Sequence, residues 1–330
     1  MKAAFIEQTG PASSIQYGEL PVPEITESQV LVRVGAVSVN PIDLYIRSGA
    51  VAANLPSPYV IGSDLAGTVE AVGAKVTRFK VGDRVWGVQH SSAGHQGTFS
   101  ELCAVDAQWL HAIPEDVRDE DAAAIALVGI TAHLGIVREA RLQPGETIFV
   151  HGGTGGVGSA VVQMAKAIGA RVIATAGGEE KVKRCRDLGA DVVIDYRASD
   201  VASELQTAAA EGVDVFFETL REPDFDFAIG AMAARGRMVV MAGRDARPEF
   251  PVGPFYVKGC SLHGFMLLKA SAEEQQAAAD DINRWLSAKQ LRPLIDRVMP
   301  LSEAAEAHAL QEKQTLKNQG NLTGKLVLTP

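Results

Sequence analysis

Residues 147–169, TIFVHGGTGGVGSAVVQMAKAIG, predict a strand, a tight turn and a helix in direct succession. An apolar, β-rich run at residues 147–150 opens the stretch, and apolar residues at near-helical spacing close it. The turn contains G-x-G-x-x-G at Gly153, Gly155 and Gly158. Glycine lets the backbone approach a pyrophosphate, and the N-terminus of the following helix offers N–H groups and partial positive charge to phosphates. In this context the pattern indicates a dinucleotide-binding fold.

The end of the next predicted strand, residues 171–176, bears on the choice between NAD and NADP. NAD sites usually place an acidic residue there to hold the ribose hydroxyls, whereas this chain has Gly177 and Gly178. Glu179 and Glu180 argue mildly for NAD, although acids also stabilise a first helical turn. Cations that would favour a 2′-phosphate lie in the next helix and after the next strand: Lys181, Lys183, Arg184 and Arg197. The missing acid favours NADPH, and a solvated helix face is the alternative for at least two of the three helix cations.

The bulk properties exclude several classes of protein. A chain of 330 residues with 47% apolar and 22% charged residues is typical of a soluble globular protein of two domains. The net charge of −9 argues against nucleic acid or an anionic membrane as a partner. No apolar run reaches membrane-spanning length, and the first residues lack the apolar core of a signal peptide. Cys103, Cys185 and Cys260 form no C-x-x-C pair, so we expect no disulfide framework and a cytoplasmic location.

The chain changes character near residue 120. Before it, short β-type runs recur at residues 2–6, 29–39, 65–72, 84–88 and 99–105, which suggests a small barrel-like β domain. After it, strands at residues 171–176, 192–196, 213–218, 236–241 and 259–265 alternate with helices at 179–188, 200–210 and 224–234. This alternation predicts a doubly wound parallel α/β sheet. A helix at 271–290 and a tail of strand, helix and strand at 297–300, 302–314 and 325–329 should return to the first domain.

The order and spacing of VNPIDLYIRSG, IGSDLAGTVEAVG, GDRVWG and HGGTGGVG resemble the medium-chain dehydrogenase/reductase superfamily. Within it the chain resembles the zinc-independent quinone oxidoreductase branch, the ζ-crystallin-like enzymes. The resemblance implies a Rossmann doubly wound parallel sheet at residues 123–266. It also implies a GroES-like β-barrel-type catalytic domain at residues 1–122 and 267–330. The active site is then expected in the cleft between the domains.

The motifs depart from the zinc enzymes of the superfamily at the ligand positions. Asn40 stands where the zinc enzymes carry a cysteine, and Ser63 replaces the histidine of their G-H-E motif. The four-cysteine structural lobe is also missing. His90, His95, Asp64 and Glu101 match no metal-ligand spacing, so no metal ion is expected.

The resemblance also implies the functional residues. The substrate pocket would be lined by the NPxDxYxR segment through Asn40, Asp43, Tyr45 and Arg47. Tyr45 would donate a hydrogen bond to a carbonyl oxygen, and Asn40 would orient the substrate or the cofactor amide. Asp43 and Arg47 have a structural ion pair as their alternative. NADPH would meet residues spread over six segments: Thr131, Gly153, Thr154, Gly155, Gly156, Val157, Gly158, Gly177, Lys181, Tyr196, Ala242, Gly243, Arg244, Phe265, Met266 and Leu267.

The expected activity is NADPH-dependent reduction of quinones or other conjugated carbonyls, enones and enals, by zinc-free hydride transfer. Two alternatives stay open: an enoyl-thioester reductase, and a non-catalytic NADPH-binding sensor or structural protein. The expected partner is a small electrophilic carbonyl compound. The resemblance also implies a homodimer or homotetramer, with an apolar strand around residues 261–268 as the sheet edge that pairs.

Overall fold

The computed structural model describes residues 1–89, 94–317 and 319–330. In chain order its strands are β1 Lys2–Ile6, β2 Gln16–Glu19, β3 Gln29–Ser38, β4 Tyr59–Val60, β5 Asp64–Val72, β6 Arg84–Val88, β7 Leu102–Asp106, β8 Leu110–Ala112, β9 Thr147–His151, β10 Arg171–Ala176, β11 Val192–Asp195, β12 Val213–Glu218, β13 Met232–Val240, β14 Ser261–Gly264, β15 Ile295–Pro300 and β16 Lys325–Thr329. Its α-helices are α1 Pro41–Ser48, α2 Asp119–His133, α3 Gly156–Ile168, α4 Glu179–Asp187, α5 Val201–Ala208, α6 Phe225–Ala231, α7 Val252–Lys258, α8 Ala272–Ser287 and α9 Ala304–Thr315.

The chain forms two compact units. The first contains residues 1–127, 271–283 and 293–330, and the second contains residues 128–270 and 284–292. Their limits lie a few residues from the boundaries predicted near residues 122 and 266. Residues 284–292, which comprise the end of α8 and the loop after it, pack with the second unit although the prediction assigned them to the first.

The first unit is mostly antiparallel. Strands β15-β16-β3-β5-β6-β8 form one sheet in this order, with β7 also on β3, and β2-β1-β4 form a second. Strand β16 pairs with β3, so the tail of the chain joins the sheet of the N-terminal region. Buried aliphatic residues from β1, β3, β5 and β16 supply the core of this unit. The predicted combination of a β-rich first unit with an α/β second unit is confirmed.

The second unit is a parallel sheet of order β11-β10-β9-β12-β13-β14. All its pairings are parallel, and the direction of the strand order reverses between β9 and β12. A reversal of this kind opens a crevice at the carboxyl ends of the two strands, which is where doubly wound sheets bind dinucleotides. The predicted doubly wound sheet is therefore confirmed.

Two helices of the second unit differ from the sequence-based expectation. Helix α6 ends at Ala231 rather than near residue 234, because Met232 already pairs with Val213 as the start of β13. Residues 252–258, which carried no helix prediction, form α7. The Lys258 ammonium at the end of α7 donates to the carbonyls of Ile229, Gly230 and Met232, each at 2.8 Å, and so caps α6 through a contact that local propensity does not encode.

Helix α2 continues as a π-helix at Leu134–Glu139. Within the described residues, the combined helix Asp119–Glu139 is the one segment with the length and apolar composition to cross a membrane, contrary to the expectation that none would. Its most apolar window is 78% buried inside the protein, which is the behaviour of a core helix.

Candidate functional site

The glycine turn of the second unit runs from the end of β9 into α3 and has little room for side chains. A Cβ on Gly158 would lie 2.0 Å from the Gly152 carbonyl oxygen, and one on Gly153 would lie 2.7 Å from the Cys185 sulfur. Gly152 itself has φ +95°, a left-handed conformation. Gly155 is the N-cap residue of α3 and, as a glycine, has no side chain that could cap the helix. The N–H groups of the first helical turn are therefore available to a phosphate.

The predicted pyrophosphate residues occupy this turn at different depths. Gly155 is exposed and Gly156 and Val157 are half-buried, whereas Gly153, Thr154 and Gly158 are buried. Backbone bonds fix the turn, since Thr175 on β10 accepts from Gly153 N at 2.8 Å through its carbonyl oxygen and from Gly152 N at 2.8 Å through Oγ1. The geometry fits a dinucleotide phosphate.

His151 and Glu218 meet beside this turn, a pairing that the sequence analysis did not predict. They end the adjacent strands β9 and β12, and His151 Nδ1 lies 3.0 Å from Glu218 Oε2. Leu220 N donates to the other carboxylate oxygen at 2.8 Å. The glutamate is buried and the imidazole packs against Phe149. His151 and Glu218 end the first and fourth strands of the parallel sheet. The pairing of these two strands is what brings the side chains together, and it could have been predicted from the strand order.

A second glycine pair shapes the end of β10. A Cβ on Gly177 would lie 2.3 Å from the Tyr196 ring, and one on Gly178 would lie 3.5 Å from an Arg197 guanidinium nitrogen. Asp195 Oδ1 accepts from Gly178 N at 2.9 Å and from Arg197 N at 3.0 Å, and these bonds lower the pKa of Asp195. We call these five residues the ribose turn. In the ribose turn the Asp195 carboxylate accepts hydrogen bonds from backbone N–H groups. The Tyr196 side chain is 51% exposed.

The three candidate cations of α4 fall into two groups. Lys183 pairs with Asp187 at 2.6 Å and Arg184 pairs with Glu180 at 2.6 Å, both one turn apart on the exposed helix surface. These two are therefore the solvated helix pairs that were the alternative interpretation. Lys181 lies half-buried at the start of the helix, close in sequence to the ribose turn.

The residues predicted for the nicotinamide half come after the carboxyl ends of β13 and β14, with Thr131 on α2. Ala242 and Gly243 are half-buried, and Arg244 is exposed and pairs with Asp245. Phe265 is half-buried under the Arg138 guanidinium, and Met266 is 47% exposed. Thr131 and Leu267 are almost fully buried, so they contribute to the core more than to an open surface.

In the first unit, Asn40 belongs to a buried polar network. Its Nδ2 donates to Asp64 Oδ2 at 2.7 Å, and its Oδ1 accepts from the Lys325 ammonium. Ser38 Oγ and Leu127 N also donate to Asp64, at 2.5 and 3.0 Å. The Asn40 amide is fully buried and bonded at both ends, and its role in orienting a substrate or the cofactor amide stays a prediction.

Asp43 is also part of this network and not of an open pocket. Its carboxylate accepts from Asn40 N at 2.8 Å and from Ser63 Oγ at 2.6 Å, and the residue is 2% exposed. Burial raises the pKa of Asp43 to about 7, and the neighbouring Asp64 adds to the effect. Asp43 therefore stabilises the start of α1 through a buried hydrogen bond to the Asn40 backbone.

Arg47 has a different partner from the one expected. It donates to Glu312 Oε2 on α9 at 2.9 Å and to the Gly10 carbonyl at 2.8 Å, and it is 1% exposed. The alternative pairing with Asp43 is wrong, because Asp43 faces Asn40 and Ser63. Of the four residues predicted to be catalytic, Tyr45 alone has a half-buried side chain with surface left for a ligand.

The side chains that could ligate a metal ion are scattered over the part of the chain that the structure describes. There, no group of three or more His, Cys, Asp or Glu residues is arranged to hold a metal ion. His90 lies outside the described residues. Asn40 and Ser63, at the positions of the zinc ligands in related motifs, are both engaged in hydrogen bonds within the protein.

Comparisons with known proteins identify similar sequences and similar structures. Residues 26–115 match the family described as Alcohol dehydrogenase GroES-like domain, and residues 156–284 match Zinc-binding dehydrogenase. The chain is 33% identical to the quinone oxidoreductase of Sus scrofa over 97% of its own length and 94% of that protein. It is similar to the crystal structure of an NAD-dependent alcohol dehydrogenase, with TM-score 0.90, 30% identity and full coverage of both chains. A mycobacterial protein complexed with NADPH gives TM-score 0.85, also at 30% identity and full coverage.

The glycine turn predicts a sharp difference between two alanine substitutions. Gly158→Ala should lower the free energy of unfolding by about 1–3 kcal/mol, because the new methyl group meets a backbone oxygen that cannot move aside. Gly155→Ala is the matched control, since its Cβ would lie 3.6 Å from the Gly152 oxygen. Urea unfolding of the cofactor-free protein measures both, and equal stability of the two variants would contradict the steric account.

The raised pKa of Asp43 predicts an unusual pH dependence of stability. The native state holds a proton on Asp43 between about pH 4 and the folded pKa of about 7, where the unfolded chain does not. The wild type should therefore lose stability relative to Asp43→Asn as the pH rises through this window. Denaturant unfolding of both proteins at several pH values measures the difference. A wild-type advantage that grows with pH would show that the ionised carboxylate is the stabilised form.

Proposed function

Because the chain belongs to the quinone oxidoreductase branch of the medium-chain dehydrogenase/reductase superfamily, we propose that it reduces quinones and related conjugated carbonyls, enones and enals, with NADPH and without a metal ion. The chain is an enzyme of the quinone oxidoreductase type, with a nicotinamide cofactor and a small-molecule substrate. The observation that carries the choice of NADPH is the ribose turn.

The ribose turn supports a 2′-phosphate in two ways. An acid that accepts the ribose hydroxyls in an NAD site would repel that phosphate, and the chain has Gly177 and Gly178 at this position. The acid that does lie nearby, Asp195, is held by the N–H groups of Gly178 and Arg197. The phenol of Tyr196 and the side chains of Arg197 and Lys181 then supply donors and positive charge. The mycobacterial relative solved with NADPH is consistent with this preference.

The proposed chemistry needs little from the protein beyond binding and one hydrogen bond. When bound, the nicotinamide would supply the hydride, and thus the two electrons, that reduces the conjugated carbonyl. The glycine turn and the N-terminus of α3 hold the pyrophosphate. Tyr45 donates a hydrogen bond to the carbonyl oxygen, where negative charge develops as the hydride arrives. One proton completes the reduction, and it comes from solvent or from the Tyr45 phenol.

The absence of a metal ion from this scheme is supported by the bonding of the first unit. Catalytic zinc needs anionic sulfur, imidazole or carboxylate ligands with one open position. The amide of Asn40 and the hydroxyl of Ser63 are poor replacements, and both are already bonded to buried carboxylates. Quinones are electrophilic without a Lewis acid.

We also propose assembly through the edge strand β14, as a homodimer or homotetramer, and a cytoplasmic location. Among the described residues strand β14 lies at the edge of its sheet, and large apolar side chains are exposed on β14, shortly after it and on α7. These residues are Val252, Tyr256, Val257, Leu262 and Met266. All three cysteines are free and buried, which suits a reducing compartment.

The NADPH proposal predicts a selective effect of Lys181→Ala. Loss of a charged bond to the 2′-phosphate should raise the Kd for NADPH about 10- to 100-fold and leave the Kd for NADH almost unchanged. Lys183→Ala is the matched control, because Lys183 lies on the same helix and pairs with Asp187. Fluorescence titration measures the Kd of each variant for NADPH and for NADH. An equal rise in both Kd values would contradict the assignment of Lys181 to the 2′-phosphate.

The proposed role of Tyr45 predicts that Tyr45→Phe lowers kcat about 10- to 100-fold with a simple para-quinone, since one hydrogen bond to the developing oxyanion is lost. The Kd for NADPH should not change. Steady-state kinetics over a range of quinone concentrations separates kcat from KM. Unchanged turnover would remove Tyr45 as the donor.

A further inference from the structure

Lys325 is an almost fully buried lysine whose ammonium bonds to the residues directly before α1. Its ammonium donates to the Val39 carbonyl at 2.8 Å and to Asn40 Oδ1, although Asn40 lies 285 residues away in the sequence. The same ammonium lies 3.6 Å from Asp64 Oδ2. Burial lowers the pKa of Lys325, and the carboxylates of Asp64 and Asp43 oppose that effect. The sequence motifs of the chain assign Lys325 no role in catalysis or binding.

The two charges hold the Asn40 amide in a single orientation. Its oxygen faces the Lys325 ammonium and its nitrogen donates to the Asp64 carboxylate at 2.7 Å. A flipped amide would point its N–H groups at the ammonium and its oxygen at the carboxylate, which are both repulsive contacts. The amide dipole is thus fixed between opposite charges.

Asn40 lies directly before α1. Its backbone N–H donates to Asp43 in the first helical turn at 2.8 Å. Tyr45 lies within the same eight-residue helix. A helix this short gains little stability by itself, so its start determines where its side chains lie.

We propose that Lys325 is a positioning residue that acts through Asn40 and the start of α1 to hold the Tyr45 phenol in place. The proposal rests on the role given to Tyr45 in the proposed function. Stability alone does not require the ammonium, because well-packed apolar side chains of similar volume often serve as well as a buried ion pair. Unlike an apolar side chain, the Lys325 ammonium holds the Asn40 amide oxygen toward itself and so fixes the orientation of the amide.

A double-mutant cycle between Lys325→Met and Tyr45→Phe tests the proposal. Lys325→Met should lower kcat about 10- to 100-fold through misplacement of the phenol, with the Kd for NADPH unchanged. In the Tyr45→Phe background the same change should cost less than about 2-fold, because the group being positioned is already gone. An equal loss in both backgrounds, or no loss in either, would overturn the proposal.

Further variants separate positioning from folding. Lys325→Met alone leaves Asp64 without its counter-charge, so the pair Lys325→Met with Asp64→Asn should recover the Tm while kcat stays low. If kcat recovers together with the Tm, Lys325 is merely structural. Lys325→Arg keeps the charge and should retain more activity than Lys325→Met. Lys75→Met is the surface control, since Lys75 pairs with Glu27 at an exposed site of the same unit.

A readout that needs no turnover keeps this inference distinct from the proposed function. Hydrogen exchange of the cofactor-free protein should show faster exchange in residues 40–48 of the paired variant, while residues 102–106 of β7 exchange as in the wild type. Unchanged exchange at residues 40–48 would contradict the positioning role. A wild type that binds NADPH but reduces no quinone would refute the proposed function instead. If Tyr45→Phe keeps full activity while Lys325→Met loses it, the path through Tyr45 is wrong.

Discussion

The approach of the Gly158 α-carbon to the Gly152 carbonyl is the constraint on which the second unit depends, since a Cβ there would lie only 2.0 Å from the oxygen. This contact lets β9 turn directly into α3, so that the amino end of the helix lies at the carboxyl end of the central strand. The helix N-terminus and the crevice beside β12 then coincide. A second glycine pair, Gly177 and Gly178, allows a similar close approach at the end of the neighbouring strand. There the Tyr196 ring and the Arg197 guanidinium of the ribose turn lie close to the glycine backbone.

The first unit depends instead on a set of buried charged side chains. Asp43, Asp64 and Lys325 are all almost fully buried, and each finds polar partners within the network. Buried charges are costly unless they are hydrogen-bonded, so their geometry is narrowly determined. The residues that zinc relatives would use as ligands are bonded into this network. The result is a rigid support beneath α1 with one half-buried phenol, Tyr45, at its surface.

The local pattern of apolar residues and glycines in the sequence predicts much of the fold. The strands at residues 171–176 and 213–218 begin and end where the apolar pattern predicts them, and the glycine motif predicts the turn between β9 and α3. Contacts distant in sequence decided the rest. Arg47 finds Glu312, 265 residues away, and α6 ends where Lys258 caps it. Asn40 and Asp43 were assigned to a pocket because a motif shows which residues lie together but not which way they face. Their burial is a property of the folded network.

The central claim is NADPH-dependent, metal-free quinone reduction, and one assay addresses it most directly. Oxidation of NADPH is followed by absorbance with a simple para-quinone as acceptor, in the presence of a metal chelator, with NADH in a parallel reaction. The account predicts rapid turnover that survives the chelator and is faster with NADPH than with NADH. Turnover that the chelator abolishes would contradict the metal-free mechanism, and tight NADPH binding with no quinone reduction would contradict the proposed substrate.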